Sequence, residues 1–221
     1  LHLIAGKPLI QHVVERCQTA TALTDVIVAT DDARIAEVAR RFCRVEMTSD
    51  QHPSGTDRIA EVVSRCECDA AVNIQGDEPF LDREALEGSL ARVAQGDEVG
   101  TAAAPLELAL VKDPARVKVV TDLGGRALYF SRAVIPHRRE PDDPSDGLYW
   151  QHLGIYAYTR ASLTRWVSLP PTPAELVERL EQLRALVLPG RCQRIEDRRG
   201  YQRHVFVALD VLDDRDELVA A

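Results

Sequence analysis

Aromatic residues are scarce in this chain, at 5% of 221 residues. So few rings argue against a base-stacking platform and leave base recognition to backbone groups. Lysine is scarcer still, with only Lys7, Lys112 and Lys118 among 27 basic residues. The net charge of −8 speaks against a nucleic-acid backbone as main partner. An anionic small molecule would need a local cationic pocket or a metal. No apolar run is long enough to span a bilayer, and no charged-then-apolar leader opens the sequence, so no membrane is expected as a partner. Five cysteines (Cys17, Cys43, Cys66, Cys68 and Cys192) form no C-x-x-C pair, which favours reduced thiols over a disulfide frame or a zinc site. Lys7 follows Gly6 but precedes Pro8, so the G-x-x-x-x-G-K-[ST] loop is absent. G-x-G-x-x-G and G-x-S-x-G are absent too. P-loop, dinucleotide-binding and serine-hydrolase readings therefore fall away.

What is present reads as one α/β domain with room for a smaller lobe. Leu9, Val13, Val14 and Cys17 recur at helical spacing over 8–20, with Pro8 suited to a first turn. "DVIVAT" (25–30) is a continuous β-branched run, the pattern of a strand buried on both faces. Thr30 and Asp31 are expected to cap a helix carrying Ile35, Val38, Ala39 and Phe42. A short strand near 44–47, a helix with Ile59, Val62 and Val63 inward, and a strand "DAAVNIQ" (69–75) follow. This alternation predicts a parallel sheet with crossover helices. Beyond it, 100–106, 117–122, 127–132 and 152–158 read as strands. Pro173 opens an expected helix with Leu176, Leu180, Leu183 and Val187 on one face. "FVALDVLDDRDELVAA" reads as a last strand running into a helix.

The sharpest chemical signal is "VNIQGDEPF" (72–80). A buried strand ends, Gly76 permits a turn, and Asp77 is presented at the carboxyl edge of the sheet, where open α/β sheets bind ligands. From spacing alone Asp77 is either a Mg²⁺ ligand or a turn cap before Pro79. In "HPSGTDR" (52–58), small residues ahead of a helix leave N–H groups free for a base or an anion. Arg58 stands in the first turn against the dipole, which an anionic or acceptor partner would explain. The plainer reading is an ordinary helix cap. Asp210 ends an apolar run as Asp77 does, so the two could share a metal. Asp213, Asp214 and Asp216 fit a solvated helix start, and "HRRE" (137–140) a solvated loop. His152 is either a ligand to substrate or a structural histidine. Cys66-Glu-Cys68 lacks metal spacing and is assigned nothing.

Taken in order, "VATDD", "HPSGTDRIAEV", "VNIQGDEP", "VKVV", "ALYFSRAVIP", "HLGIYAY" and "LEQLRAL" resemble the CMP-Kdo synthetase family, the 3-deoxy-manno-octulosonate cytidylyltransferases, over nearly the whole chain. The last two motifs are the most particular to it. The resemblance implies a Rossmann-like, glycosyltransferase-A-like fold whose mostly parallel sheet is flanked by helices, with a smaller mixed lobe for dimerisation and substrate. Within a single domain of 1–221, the core would be about 1–105 and 188–221, and the lobe about 106–187. It implies CTP and the acidic sugar Kdo as substrates, CMP-Kdo and pyrophosphate as products, Mg²⁺ as cofactor, a homodimer, and the bacterial cytoplasm. Asp77 and Asp210 would be the metal ligands, and Asp77 and Gln75 the catalytic residues. Ser54, Gly55, Thr56 and Arg58 would lie on the cytidine side. His152, Tyr156, Glu181 and Gln182 would line the Kdo pocket. Ser131 and Arg132 are further candidates, and Lys118 receives no role.

Two departures accompany the resemblance. The family continues from its C-terminal metal aspartate as Asp-Thr-Pro-Glu-Asp-Leu, whereas this chain reads "DVLDDRDEL". The family also opens with a strand and a loop, Pro-Ala-Arg-x-x-Ser-x-Arg-[Leu/Phe]-Pro-Gly-Lys-Pro-Leu, that grips the triphosphate. Alignment through "LIQHVVERC" places Lys7 after that loop, in a turn entering a helix. The loop is therefore expected upstream of Leu1, and the chain as written is expected to release little pyrophosphate. A sialic-acid cytidylyltransferase and a truncated, non-catalytic homologue are the alternatives.

Overall fold

The computed structural model describes residues 2–140, 142–143 and 147–187, together with the backbone of 194–195 and 205–210. It begins with a tight hairpin of β1 (Leu3–Ile4) and β2 (Lys7–Pro8), turned through Ala5 at φ 49° and Gly6 at φ 80°. Positive φ at both central residues is what a two-residue type I′ hairpin requires. Lys7 Nζ is paired with Glu15 at 2.8 Å, across the entry to helix α1 (Leu9–Gln18). The Gly-Lys pair thus forms a turn into a helix, as its alignment predicts.

β3 (Asp25–Thr30) and α2 (Ala33–Ala39) follow. The cap of α2 is Asp32, which accepts from Arg34 N at 2.7 Å; Thr30 and Asp31 do not cap it. Thr30 Oγ1 instead accepts from Asp32 N at 3.1 Å, and Asp31 pairs with Arg58 at 3.2 Å. Then come β4 (Arg44–Met47), α3 (Gly55–Arg65), β5 (Ala70–Gln75), α4 (Arg83–Ala94) and β6 (Val99–Pro105). β7 (Lys118–Thr121), β8 (Ala127–Ser131), β9 (Trp150–Thr159), α5 (Arg160–Ser168), α6 (Pro173–Glu178) and α7 (Gln182–Ala185) complete the middle of the chain. β10 (Arg194–Ile195) and β11 (Val205–Asp210) are the last described strands. The helix expected after Asp210, with Asp213, Asp214 and Asp216, lies outside the described residues.

The strands join in one sheet of order β10-β6-β9-β5-β11-β3-β4, with β7 on β9 and β8 on β7. β5, β11, β3 and β4 run parallel, as the alternating pattern predicts. β9 runs antiparallel to both β5 and β6, so the sheet is mixed rather than uniformly parallel. β9 also belongs by sequence to the range expected for the smaller lobe, and it carries the sheet continuously from one part to the other.

Both faces of the parallel half are covered. Val26 and Val28 of β3 share one core with residues of α1 and α4, while Ile27 and Ala29 share another with residues of α3 and α5. This explains the continuous apolar run, because alternate residues of one strand feed opposite cores. Gly100 is the tightest contact of β6. A Cβ there would lie 2.0 Å from the Ser89 carbonyl oxygen of α4, so only glycine admits the helix.

Two helices, α4 and α5, are additions to the elements expected from the sequence. Asp82 caps α4 and Thr159 caps α5 through backbone N–H bonds of 2.9 and 3.0 Å. The helix expected from Pro173 is broken in two. Thr172 and Glu175 form a reciprocal capping box at the start of α6, but Arg179 takes the left-handed conformation at φ 52° and ends it. Consequently Leu180 and Leu183 are buried while Leu176 and Val187 are exposed, and no common apolar face exists. No helix among the described residues is long and apolar enough to cross a membrane.

Candidate active site

The carboxyl end of β5, the first half of the antiparallel β9, the start of α3 and the α6–α7 break enclose a cleft of about 600 Å³. One wall comes from α3. Ser54 caps it, accepting from Asp57 N at 3.3 Å and donating to Asp57 Oδ2 at 2.6 Å. Gly55 and Thr56 line the cleft in the first helical turn, where backbone N–H groups have no partner within the helix. Arg58, expected beside them, is buried and turned elsewhere. It donates to Thr48 Oγ1 at 2.6 Å and pairs with Asp31 at 3.2 Å. An acceptor partner does explain its place in the first turn, and that partner belongs to the protein.

The opposite wall comes from β9 and α7. His152, Tyr156, Glu181 and Gln182 all line the cleft. Tyr156 pairs in register with Asn73 of β5 and with Thr101 of β6. Between the pairs of Thr101 and Ala103 the register shifts, and Gly154 at φ 66° supplies the irregular backbone. His152 is buried between the rings of Phe130 and Tyr156, with centroids at 4.9 and 5.2 Å. Burial pulls its pKa down to about 3, so the ring is neutral. Burial also keeps the Tyr156 hydroxyl protonated.

The two walls meet at Glu181. Burial raises its carboxyl above the usual range, while the nearby hydroxyls of Thr56 and Ser54 pull it part of the way back. Its position depends on the break after α6. Arg184 grips Glu175 bidentately, with Nε at 3.1 and 3.0 Å from the two carboxylate oxygens, and so ties α7 to α6. Ser131 Oγ and Arg132 N donate to the Glu178 carboxylate at 2.6 and 2.9 Å. Arg132 Nε donates to the Glu178 carbonyl at 2.9 Å. Ser131 and Arg132 therefore hold the break, and Arg132 and Arg179 are also among the residues lining the cleft. Lys118, without a role from sequence, is buried and donates to the carbonyls of Asp113 and Arg132 at 3.0 and 2.5 Å.

Gln75 and Glu78 line the floor, and Asp77 stands exposed on the turn between them. Burial first and Asp77 second raise the Glu78 carboxyl. Asp210 ends β11 in register with Gln75 and Ala29, which sets its backbone at the same sheet edge; its side chain lies outside the described residues. No group of three or more His, Cys, Asp or Glu side chains forms a metal cluster among the described residues. Mg²⁺ needs only one or two protein carboxylates, with phosphate oxygens and water completing its shell. Hard oxygen donors at the sheet edge fit that ion.

Three further residues of the site carried weaker signals in the sequence. Gly154 is a lone glycine inside a strand pattern, which marks bulges. Asn73 and Thr101 are polar residues on apolar strands, both buried. The Tyr158 hydroxyl lies near Thr56 and Asn73, yet neither it nor Asn73 Oδ1 makes a well-formed hydrogen bond.

Residues 1–191 match the family model described as cytidylyltransferase, so Asp210 lies beyond the matched span. The chain is 41% identical over 228 residues to the 3-deoxy-manno-octulosonate cytidylyltransferase of Geobacter sulfurreducens, covering 98% of this chain and 89% of the relative. It is 46% identical over 193 residues to the enzyme of that name from Gemmatimonas aurantiaca, covering 84% and 75%. Among solved structures it is similar to CMP:2-keto-3-deoxy-manno-octonic acid synthetase complexed with CTP. That match has a TM-score of 0.81 and 36% identity, and covers 95% of this chain and 82% of the other. The chain belongs to the cytidylyltransferase family, among the 3-deoxy-manno-octulosonate cytidylyltransferases.

Proposed function

We propose that the protein transfers a cytidylyl group from CTP to 3-deoxy-manno-octulosonate (Kdo), giving CMP-Kdo and pyrophosphate for the lipopolysaccharide inner core. The observation that carries this reading is the meeting of the two walls on one cleft, lined by Gly55 and Thr56 of the helix start and by His152, Tyr156, Glu181 and Gln182 of the opposite side. The names of the two relatives and the CTP of the similar solved structure supply the substrate pair.

In the reaction the anomeric hydroxyl oxygen of the sugar bonds to the α-phosphorus of CTP. The bond between the α- and β-phosphates breaks, pyrophosphate leaves with the electron pair, and the hydroxyl proton passes to solvent. Both reactants are anionic, so positioning and charge neutralisation outweigh a dedicated protein base. The first-turn N–H groups at Gly55 and Thr56 receive the nucleotide, and Gln75 lies at the reacting centre. Arg179, exposed at the break, and Arg132, whose guanidinium is held on the Pro114, Glu178 and Arg179 carbonyls, supply positive charge on the sugar side. One charge pair at 4 Å is worth about 4 kcal/mol at an effective dielectric of 20. Asp77 and Asp210 would hold Mg²⁺, which when bound neutralises phosphate charge.

A homodimer belongs to the same reading. Leu128 and Tyr129 on the edge strand β8, with Trp150 and Val177, leave apolar surface exposed on the second half of the chain. Light scattering at micromolar concentration should give a dimer, and a monomer would overturn this part. The free thiols of Cys17, Cys43, Cys66 and Cys68 suit the reducing cytoplasm, where we place the protein.

The direct test supplies the full-length protein with Mg²⁺, CTP and either Kdo or sialic acid, and follows pyrophosphate. Kdo should be the preferred acceptor. Preference for sialic acid, or no turnover with either sugar, overturns the reading.

A further inference from the structure

Thr101 sits in the middle of β6 and is 1% exposed. Valine would fill the same space on an apolar strand, so a hydroxyl here calls for a reason. Its Oγ1 lies 2.7 Å from the Ile155 carbonyl oxygen. A carbonyl oxygen only accepts, so the single hydroxyl proton of Thr101 is committed to it. The same Oγ1 lies 2.8 Å from His152 Nε2 and has only lone pairs left to offer. Nε2 therefore carries the ring proton.

A neutral imidazole has one N–H, which leaves His152 Nδ1 as an acceptor. Gln182 Nε2 stands 3.5 Å from Nδ1, a long hydrogen bond in which the amide nitrogen donates. The reverse orientation would set the amide oxygen against the Nδ1 lone pair. Gln182 Oε1 is thus turned away from the ring. It accepts no hydrogen bond from the described residues, and Gln182 lines the cleft.

We infer that Thr101 is a positioning residue for the sugar wall: by fixing the His152 tautomer it fixes the Gln182 amide, and makes Gln182 Oε1 an acceptor for a sugar hydroxyl. An ionised carboxylate has no proton to offer Oε1, so Gln182 reads a hydroxyl of the acid and leaves its charge to other groups. The inference rests on the reading of this wall as the acidic-sugar pocket.

The test combines heteronuclear NMR of the His152 ring nitrogens near neutral pH with steady-state kinetics of the full-length protein. The wild type should show the Nε2–H tautomer, a measurement that needs no variant. Thr101→Val should lose that signature and raise KM for Kdo about tenfold, the scale of one lost hydrogen bond, without changing KM for CTP. Thr101→Ser should restore both. An Nδ1–H tautomer in the wild type, or a Thr101→Val protein with unchanged tautomer or unchanged KM for Kdo, overturns the inference. Gln182→Leu in the same assay separates the two levels. If it leaves KM for Kdo unmoved, the pocket reading fails and takes the inference with it. If it raises KM for Kdo while Thr101→Val is silent, only the inference fails.

Discussion

The two walls of the cleft are built in opposite ways. The α3 wall is local: three consecutive residues, the half-buried Ser54 and Gly55 and the buried Thr56, offer a helix start, and on the floor beside it Asp77 is exposed to water. The β9–α7 wall is assembled from distant segments and is largely dry. His152 and Gln182 are 7% and 4% exposed, and burial holds His152 and Tyr156 in their neutral forms. The comparison teaches where each wall is vulnerable. A charge left in water can be removed with little effect on folding, and the loss appears in the chemistry. A neutral group kept in a dry site is tied to folding stability, because its protonation is linked to unfolding.

The largest effect should come from the exposed charge on the floor beside the α3 wall. Asp77→Asn should lower kcat by about 10²–10³, the scale of losing one charge-stabilising group at a transition state, and leave the thermal melt unchanged. It should also weaken Mg²⁺-dependent CTP binding. Pyrophosphate release and a calorimetric scan check both halves, and undiminished Mg²⁺-dependent activity would remove Asp77 from the site.

The next effect belongs to the dry wall. The His152 pKa falls from 6.5 to about 3 on folding, so between those values the unfolded chain binds more protons. Stability should therefore fall as pH drops from 6.5, by roughly 2 kcal/mol on reaching pH 5. Glu181 acts in the other direction. Its raised folded pKa makes stability fall as pH rises from its ordinary value of 4.5 toward the folded one. Urea titrations across this range should show a shallower slope in His152→Gln and a steeper one in Glu181→Gln. The same slope in all three proteins would break the contrast.

Two smaller effects sharpen it. Gly154→Ala places a side chain at φ 66° and should cost about 1–2 kcal/mol of stability. By moving His152 and Tyr156 it should raise KM for Kdo and not KM for CTP. Ser54→Ala removes the α3 cap and should cost about 1 kcal/mol, with its kinetic effect confined to CTP. Denaturant midpoints and the two KM values measure each.

The same division governs how far the sequence speaks. The α3 wall was legible because its cues are local: a serine before a helix, a strand ending at Gln75, and an aspartate on the following turn. Four of its neighbours, Val26 to Ala29, announce a two-sided core by composition alone. The β9–α7 wall was legible in its residues through family motifs, but its architecture was not. A helix pattern over Leu176, Leu180, Leu183 and Val187 spans a left-handed residue at Arg179 that periodicity does not register. The clamp that tolerates it, Glu175–Arg184 with Glu178 on Ser131 and Arg132, joins segments about 9 and 47 residues apart. Arg58 illustrates the converse. Its exception to the helix dipole called for a partner, and Asp31 of another loop is that partner.

The central claim is that the two walls serve two substrates. Steady-state rates of Gln182→Leu in the full-length protein, with CTP and Kdo varied independently, test it most directly. KM for Kdo should rise about tenfold while KM for CTP stays at the wild-type value. An equal rise in KM for CTP, or no rise for Kdo, would contradict the account.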